Sequence, residues 1–168
     1  MTIILGIDPG LASTGYGVIR CEGNRFRHVD HGVICTSPKE SLGQRLLGIR
    51  RAMLGVLDSF RPDAAAVETV YFSKNSSSAI PVAQARGVIL CTLAERGVRF
   101  AEYSPQELKQ AVIGRGKGEK RQLQEVMKIL LGLSEAPSPD HAADALAAAF
   151  CYAGTAAFRE RLEAREHV

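Results

Sequence analysis

Long hydrophobic runs are missing from this sequence: nothing approaches the roughly 20 apolar residues that a helical membrane span needs. No basic-then-apolar leader with a small-residue cleavage site opens the chain either, so a cytosolic protein with no membrane partner is expected. Cysteine is sparse and scattered. Cys21, Cys35, Cys91 and Cys151 form no C-x-x-C pair, which excludes the usual zinc and redox motifs and leaves reduced, mostly buried thiols as the expectation. Repeats, low-complexity tracts and Pro/Gly-rich linkers are also absent. One domain over residues 1–168 is expected, its tail from about 155 peripheral, and that length supports an ordinary core without disulfides or a structural metal.

Net charge is small as well, at +3. Its distribution is uneven: Lys109, Arg115, Lys117, Lys120, Arg121 and Lys128 stand against Glu119 and Glu125, so residues 109–128 carry +4 and the remainder −1. The basic excess belongs to one segment.

Residues 3–8, about 15–21 and about 26–36 are rich in β-branched and aromatic side chains with glycine or polar joints, which predicts a three-strand meander. Leu42, Leu46, Leu47, Ile49, Met53, Leu54 and Leu57 recur at helical spacing until Arg61-Pro62-Asp63 stops the helix. A fourth strand over 64–68, an apolar helix over about 79–96 and a short strand over about 99–103 follow. Ser104-Pro105-Gln106-Glu107 is a capping box that starts the helix bearing Lys109. After the break at 114–118 come a helix over about 119–131 and a last one, capped by Ser138-Pro139, over about 140–153. The order β-β-β-α-β-α-β-α-α-α predicts an α/β domain, one mixed five-stranded sheet flanked by helices.

The first and fourth strands both end on a carboxylate, Asp8 and Glu68. Strands joined through a helical crossover run parallel and share one sheet edge, so the two carboxylates are expected together. Apposed carboxylates at the ends of apolar strands repel and resist desolvation unless a cation neutralises them, and oxygen clusters of this kind suit magnesium or manganese. The last helix offers more ligands. Asp140 and Asp144 are spaced i,i+4, and His141 and Asp144 i,i+3, so either pair shares a face. Asp140 has an independent reason to exist as a first-turn acid favoured by the helix dipole.

Taken in order, G-I-D-P-G-x-x-x-T-G-Y-G at 6–17, A-V-E-T-V-Y-F at 66–72, Q-A-R-G-V at 84–88 and H-A-A-D-A-L-A at 141–147 resemble the RuvC family of Holliday-junction resolvases over roughly residues 3–152. The resemblance implies a ribonuclease H-like fold and four metal ligands at Asp8, Glu68, His141 and Asp144, the third being aspartate in many members. It further implies paired hydrolysis of opposed strands at a four-way DNA junction with two Mg2+ or Mn2+ ions per site; Asp8 is the expected bridging carboxylate, Glu68 and Asp144 the outer ligands, and His141 a ligand or an aid to proton transfer from water. Implied partners are the junction, a second copy in a homodimer and a branch-migration motor. DNA contacts are expected from Lys109, Arg115, Lys117, Lys120 and Arg121, from Lys74, and from Tyr71 by stacking on an unpaired base. Core packing remains open for Tyr71 and Phe72, and the apolar helix over 79–96 is a candidate dimer surface whose composition a buried core helix also explains.

Two rival readings stand beside this one. An actin-like or sugar-kinase-like ATPase also follows a strand with an acid and glycines, but it needs a second lobe, and residues 114–121 lack the order of a P-loop. A DNA-binding module with vestigial carboxylates is the other.

Overall fold

A computed structural model describes the backbone of residues 1–69, 76–114 and 120–166, with side chains described over 1–69, 79–114 and 121–155. Strands β1 (Thr2–Asp8), β2 (Ser13–Glu22) and β3 (Arg25–Cys35) form the expected antiparallel meander. Helix α1 (Leu42–Phe60) crosses to β4 (Ala64–Glu68), which pairs parallel with β1. Helix α2 (Ser76–Glu95) crosses to β5 (Arg99–Tyr103), parallel to β4, and α3 (Pro105–Ile113), α4 (Lys120–Leu131) and α5 (Asp140–Glu166) complete the chain. The sheet order is β3-β2-β1-β4-β5.

Strand alternation divides the core in two. Leu5, Ile7, Val18, Ala65 and Val67 point to one face, where Ile49, Met53 and Leu57 of α1 and Ala85, Ile89 and Leu93 of α2 cover them. Ile4 and Ile19 point to the other, against Leu123 and Met127 of α4 and Leu146, Ala147 and Ala149 of α5. Ala66 meets Ala148 and Cys151 of α5 and Leu108 of α3 on that same face.

Between Ile4 and Asp8 the second face carries only Gly6, and its neighbours on β2 are Gly17 and Gly15. A Cβ on Gly6 would lie 1.8 Å from the Ala145 carbonyl oxygen, one on Gly15 2.0 Å from that of His141, and one on Gly17 2.7 Å from the Leu146 side chain. No side chain fits at these contacts, so α5 rests with its backbone directly on the β1–β2 pair. The alanines of α5 keep the helix side of the contact equally thin.

Local signals hold each element. Ser41 caps α1, accepting from the Gln44 amide, and Arg61 closes the helix in the left-handed region at φ 45°. The reciprocal Ser104–Glu107 box is formed at α3. Some expectations need correction. It is the Pro139 carbonyl that accepts the Ala142 and Ala143 amides at the start of α5, so backbone rather than the Ser138 hydroxyl caps the helix. Helix α5 also continues to Glu166, past the predicted stop, because no proline or αL glycine interrupts it. Of the thiols only Cys151 is buried. Cys35 ends the edge strand β3 and Cys91 lies on the side of α2 away from the core, so both are exposed.

Close packing at Gly6 predicts that Gly6→Ala destabilises the domain by about 3 kcal/mol or more, since rigid backbone stands where the methyl must go. Gly48 on α1 has open space around it, and there Ala should be neutral or stabilise by about 0.5–1 kcal/mol. Urea unfolding of both variants checks the contrast; equal effects would contradict the packing.

Candidate metal centre

Helix α5 runs antiparallel to β1 in a nearly matched register. Alternate strand residues Asp8, Gly6 and Ile4 advance about 6.6 Å per step and every fourth helical residue about 6 Å, so His141, Ala145 and Ala149 follow the same line over the strand. At the end of that line Asp8 Oδ2 stands 2.7 Å from His141 Nδ1. One helical turn along, Asp144 enters the same cleft, and the parallel pairing of β1 with β4 delivers Glu68 beside them.

Carboxylate oxygens of Asp8, Glu68 and Asp144 can all lie within 4.8 Å of one another. They line a cleft of about 210 Å³ together with His141, Lys109, Pro105, Leu108 and Leu123. Asp8 is largely covered, whereas about half of the His141 side chain faces solvent. Burial pushes the Glu68 carboxyl up to about 9, with the charges of Asp8 and then Asp144 and a hydrogen bond to Asp8 adding to the rise. The Lys109 ammonium opposes that rise without cancelling it. Three carboxylates so disposed cannot all ionise at neutral pH unless further positive charge arrives. Their hard oxygen donors fit magnesium or manganese.

The two candidates for a ligand at the head of α5 are separated by geometry. Asp140 turns to α4, where its Oδ1 accepts from Gln124 Nε2 at 2.9 Å, while His141 faces Asp8. His141 stands at the rim of the cluster, touching Asp8, and is not part of the group of three mutually close carboxylates. Among the basic residues, Lys109 projects from α3 into the cleft and Arg121 is exposed on α4. Lys120 opens α4, but its side chain lies outside the described residues, as do Tyr71, Phe72, Lys74, Arg115 and Lys117.

The loop after Asp8 is pinned by groups that the sequence reading passed over. The buried Thr14 hydroxyl donates to the Gly10 carbonyl at 2.7 Å and accepts from the Gly10 amide at 3.3 Å. Thr36 donates its hydroxyl to the Leu11 carbonyl at 2.6 Å and its amide to that of Ala12 at 3.1 Å. The glycines Gly6, Gly15 and Gly17 belong to the site as well, because they bring the α5 backbone close enough for His141 and Asp144 to meet Asp8. Their signal was in the sequence: Gly15 and Gly17 fall in phase with Ile19, and Gly6 with Ile4 and Asp8.

With this geometry established, the chain can be compared with known proteins. The family described as "Crossover junction endodeoxyribonuclease RuvC" matches residues 4–152. A curated protein of that name from Treponema denticola is 52% identical over 146 residues, covering 87% of this chain and 82% of its own. Its namesake from Petrotoga mobilis is 49% identical over 150 residues, covering 89% and 92%. The solved structure of Thermus thermophilus RuvC in complex with Holliday junction substrate is similar at a TM-score of 0.88 and 38% identity, covering 94% of this chain and 96% of that one.

Glu68 makes a testable demand on stability. Folded chain without metal keeps the Glu68 proton up to about 9, whereas unfolded chain releases it near the ordinary 4.5. The folded state therefore binds more protons across that window, and the stability of metal-free protein should fall as pH rises through it, by at most about 1.4 kcal/mol per pH unit from this group. Urea unfolding in chelator at about pH 6 and about pH 8 should show a decline that Glu68→Gln reduces and that Mn2+ offsets in the parent chain. An identical decline in Glu68→Gln would contradict the assignment.

Proposed function

This chain belongs to the RuvC family of crossover junction endodeoxyribonucleases, and from that membership we propose that it resolves four-way DNA junctions by paired, symmetric phosphodiester hydrolysis in recombination and repair. The observation that carries the reading is the convergence of Asp8, Glu68 and Asp144 within 4.8 Å in a cleft flanked by Lys109. A relative of the same fold has been solved with such a junction bound.

Asp8, Glu68 and Asp144 would hold two Mg2+ or Mn2+ ions, with His141 as fourth ligand through Nδ1, the ring atom that already faces Asp8. When bound, the ions supply the charge that activates water and stabilises the leaving 3′ oxygen. The side chains do the rest. Asp8, fixed at the end of β1 by the pinned loop, sets its carboxylate beside the imidazole so that both can face one ion, and the partly covered cleft limits bulk water around the reacting phosphate. Lys109 balances carboxylate charge and offers an ammonium to the DNA backbone, as Arg121 does from α4. By resemblance Arg115, Lys117, Lys120, Lys74 and the stacking Tyr71 join them.

Two cuts in opposed strands call for two sites in one complex, which a C2 homodimer supplies. Helix α2 packs one side on the core through Ala85, Ile89 and Leu93 and leaves Ile80 exposed on another, which supports its use as the dimer surface. The actin-like alternative is weakened by the glycines: Gly6, Gly15 and Gly17 touch α5, so they do not cradle a nucleotide phosphate. Among the described residues no helix is long and apolar enough to cross a membrane.

Nicking of a synthetic four-way junction with Mg2+ or Mn2+ tests the proposal and excludes an inert binding module. Asp8→Asn should abolish cleavage and keep junction binding. His141→Ala should nearly eliminate nicking, Asp140→Ala should leave most of it, and His141→Asp should restore activity with more of it supported by magnesium, the harder ion. Loss of cleavage in Asp140→Ala with His141→Ala active would reverse the ligand assignment.

A further inference from the structure

We propose that Arg45 is a DNA-backbone contact, a guanidinium held ready for a phosphodiester on the α1 side of the edge that carries Asp8. The inference rests on the nuclease reading above and extends its DNA footprint beyond the basic segment 109–128 to the opposite face of the sheet.

Three observations carry it. First, among the described residues the side chain is anchored at one point: Arg45 Nε donates to Thr36 Oγ1 at 2.8 Å. That leaves the two terminal nitrogens, whose paired N–H groups match two oxygens of a phosphate. Second, among the described residues no carboxylate pairs with this arginine, whereas Arg50, Arg86 and Arg96 are paired with Glu95, Glu102 and Asp58. A half-buried cation beside a neutral hydroxyl alone is poorly compensated. Its place as the fourth residue of α1, in a helix with no first-turn acid, also sets it against the helix dipole. Stability of α1 does not account for it.

Third, the anchor leads to the catalytic edge. Thr36, which holds Arg45, donates to the carbonyl of Leu11, three residues past Asp8. The β2–β3 register places Ser13 opposite Cys35, so Thr36 lies at the same end of the sheet as Asp8. Lys109 approaches Asp8 from the α3–α5 face and α1 covers the other. A DNA backbone crossing this edge meets a cation on either side. Thr36 already ties β3 to the Asp8 loop through its own two bonds, so that tie does not require the arginine.

The test is the salt dependence of binding to a synthetic four-way junction, measured by fluorescence anisotropy with Ca2+ replacing Mg2+ to prevent cleavage. Arg45→Gln should lower the slope of log K against log salt by about 0.9, the value for one phosphate contact, and weaken binding roughly tenfold at low salt. Arg45→Lys should keep the parent slope because charge is retained, and bind less tightly than the parent because the fork is lost. On the unsubstituted chain, junction DNA should shield Arg45 from an arginine-selective dicarbonyl reagent while the exposed Arg51 stays reactive. A parent slope in Arg45→Gln, or modification of Arg45 that DNA does not slow, would overturn the assignment while junction binding itself upholds the nuclease reading. Failure of the parent chain to bind the junction would overturn both.

Discussion

Backbone contact between α5 and the glycine-faced pair β1–β2 is the constraint on which the rest of the structure depends. Helices ordinarily meet a sheet through layers of side chains, which hold the two apart. Here the missing layer at Gly6, Gly15 and Gly17 lets the helix carbonyls descend onto the strands. The near match of four helical residues to two strand residues then keeps Asp8 and His141 in step. Asp144 follows by helical geometry, and Glu68 by the parallel pairing of β4.

That seat has an electrostatic consequence. The close approach gathers acids that water would otherwise separate, and burial, Asp8 and Asp144 together hold a proton on Glu68 that a divalent ion would displace. Counter-charge is built into the same edge. Helices α2 and α3 begin beyond the ends of β4 and β5, α1 begins beyond β3, and α5 starts over Asp8. The positive end of the α5 dipole therefore lies at the site, with Lys109 inside it. These positive groups favour carboxylates and phosphate at one place on the surface, while the carboxylates themselves favour the metal.

Much of this was legible in the sequence because the relevant signals are local or topological. Asp8 and Glu68 each close an apolar strand, and a crossover between the strands puts the two ends together whatever the loop details. The Ser104–Glu107 capping box, the order of elements along the chain and the face shared by His141 and Asp144 follow from spacing. The choice between His141 and Asp140 did not, since both share a face with Asp144. The contacts that tell them apart are tertiary: Asp140 bonds Gln124 of another helix, while His141 touches Asp8. The glycines were visible as letters, but their reason is a tertiary contact with a helix more than 120 residues later. The exposure of Cys35 and Cys91 likewise depends on which strand is the edge and which side of α2 is covered. Arg45 escaped notice because it lies outside the basic cluster, and only the Thr36 bond reveals its orientation.

A crystal soaked in Mn2+ and measured at the manganese absorption edge tests the central claim most directly. Anomalous peaks bounded by the carboxylates of Asp8, Glu68 and Asp144, with His141 beside them and the α5 backbone seated on Gly6 and Gly15, are the expected result. Manganese bound elsewhere, or an Asp8 cleft that leaves Asp144 or Glu68 out of the ion's reach, would contradict it.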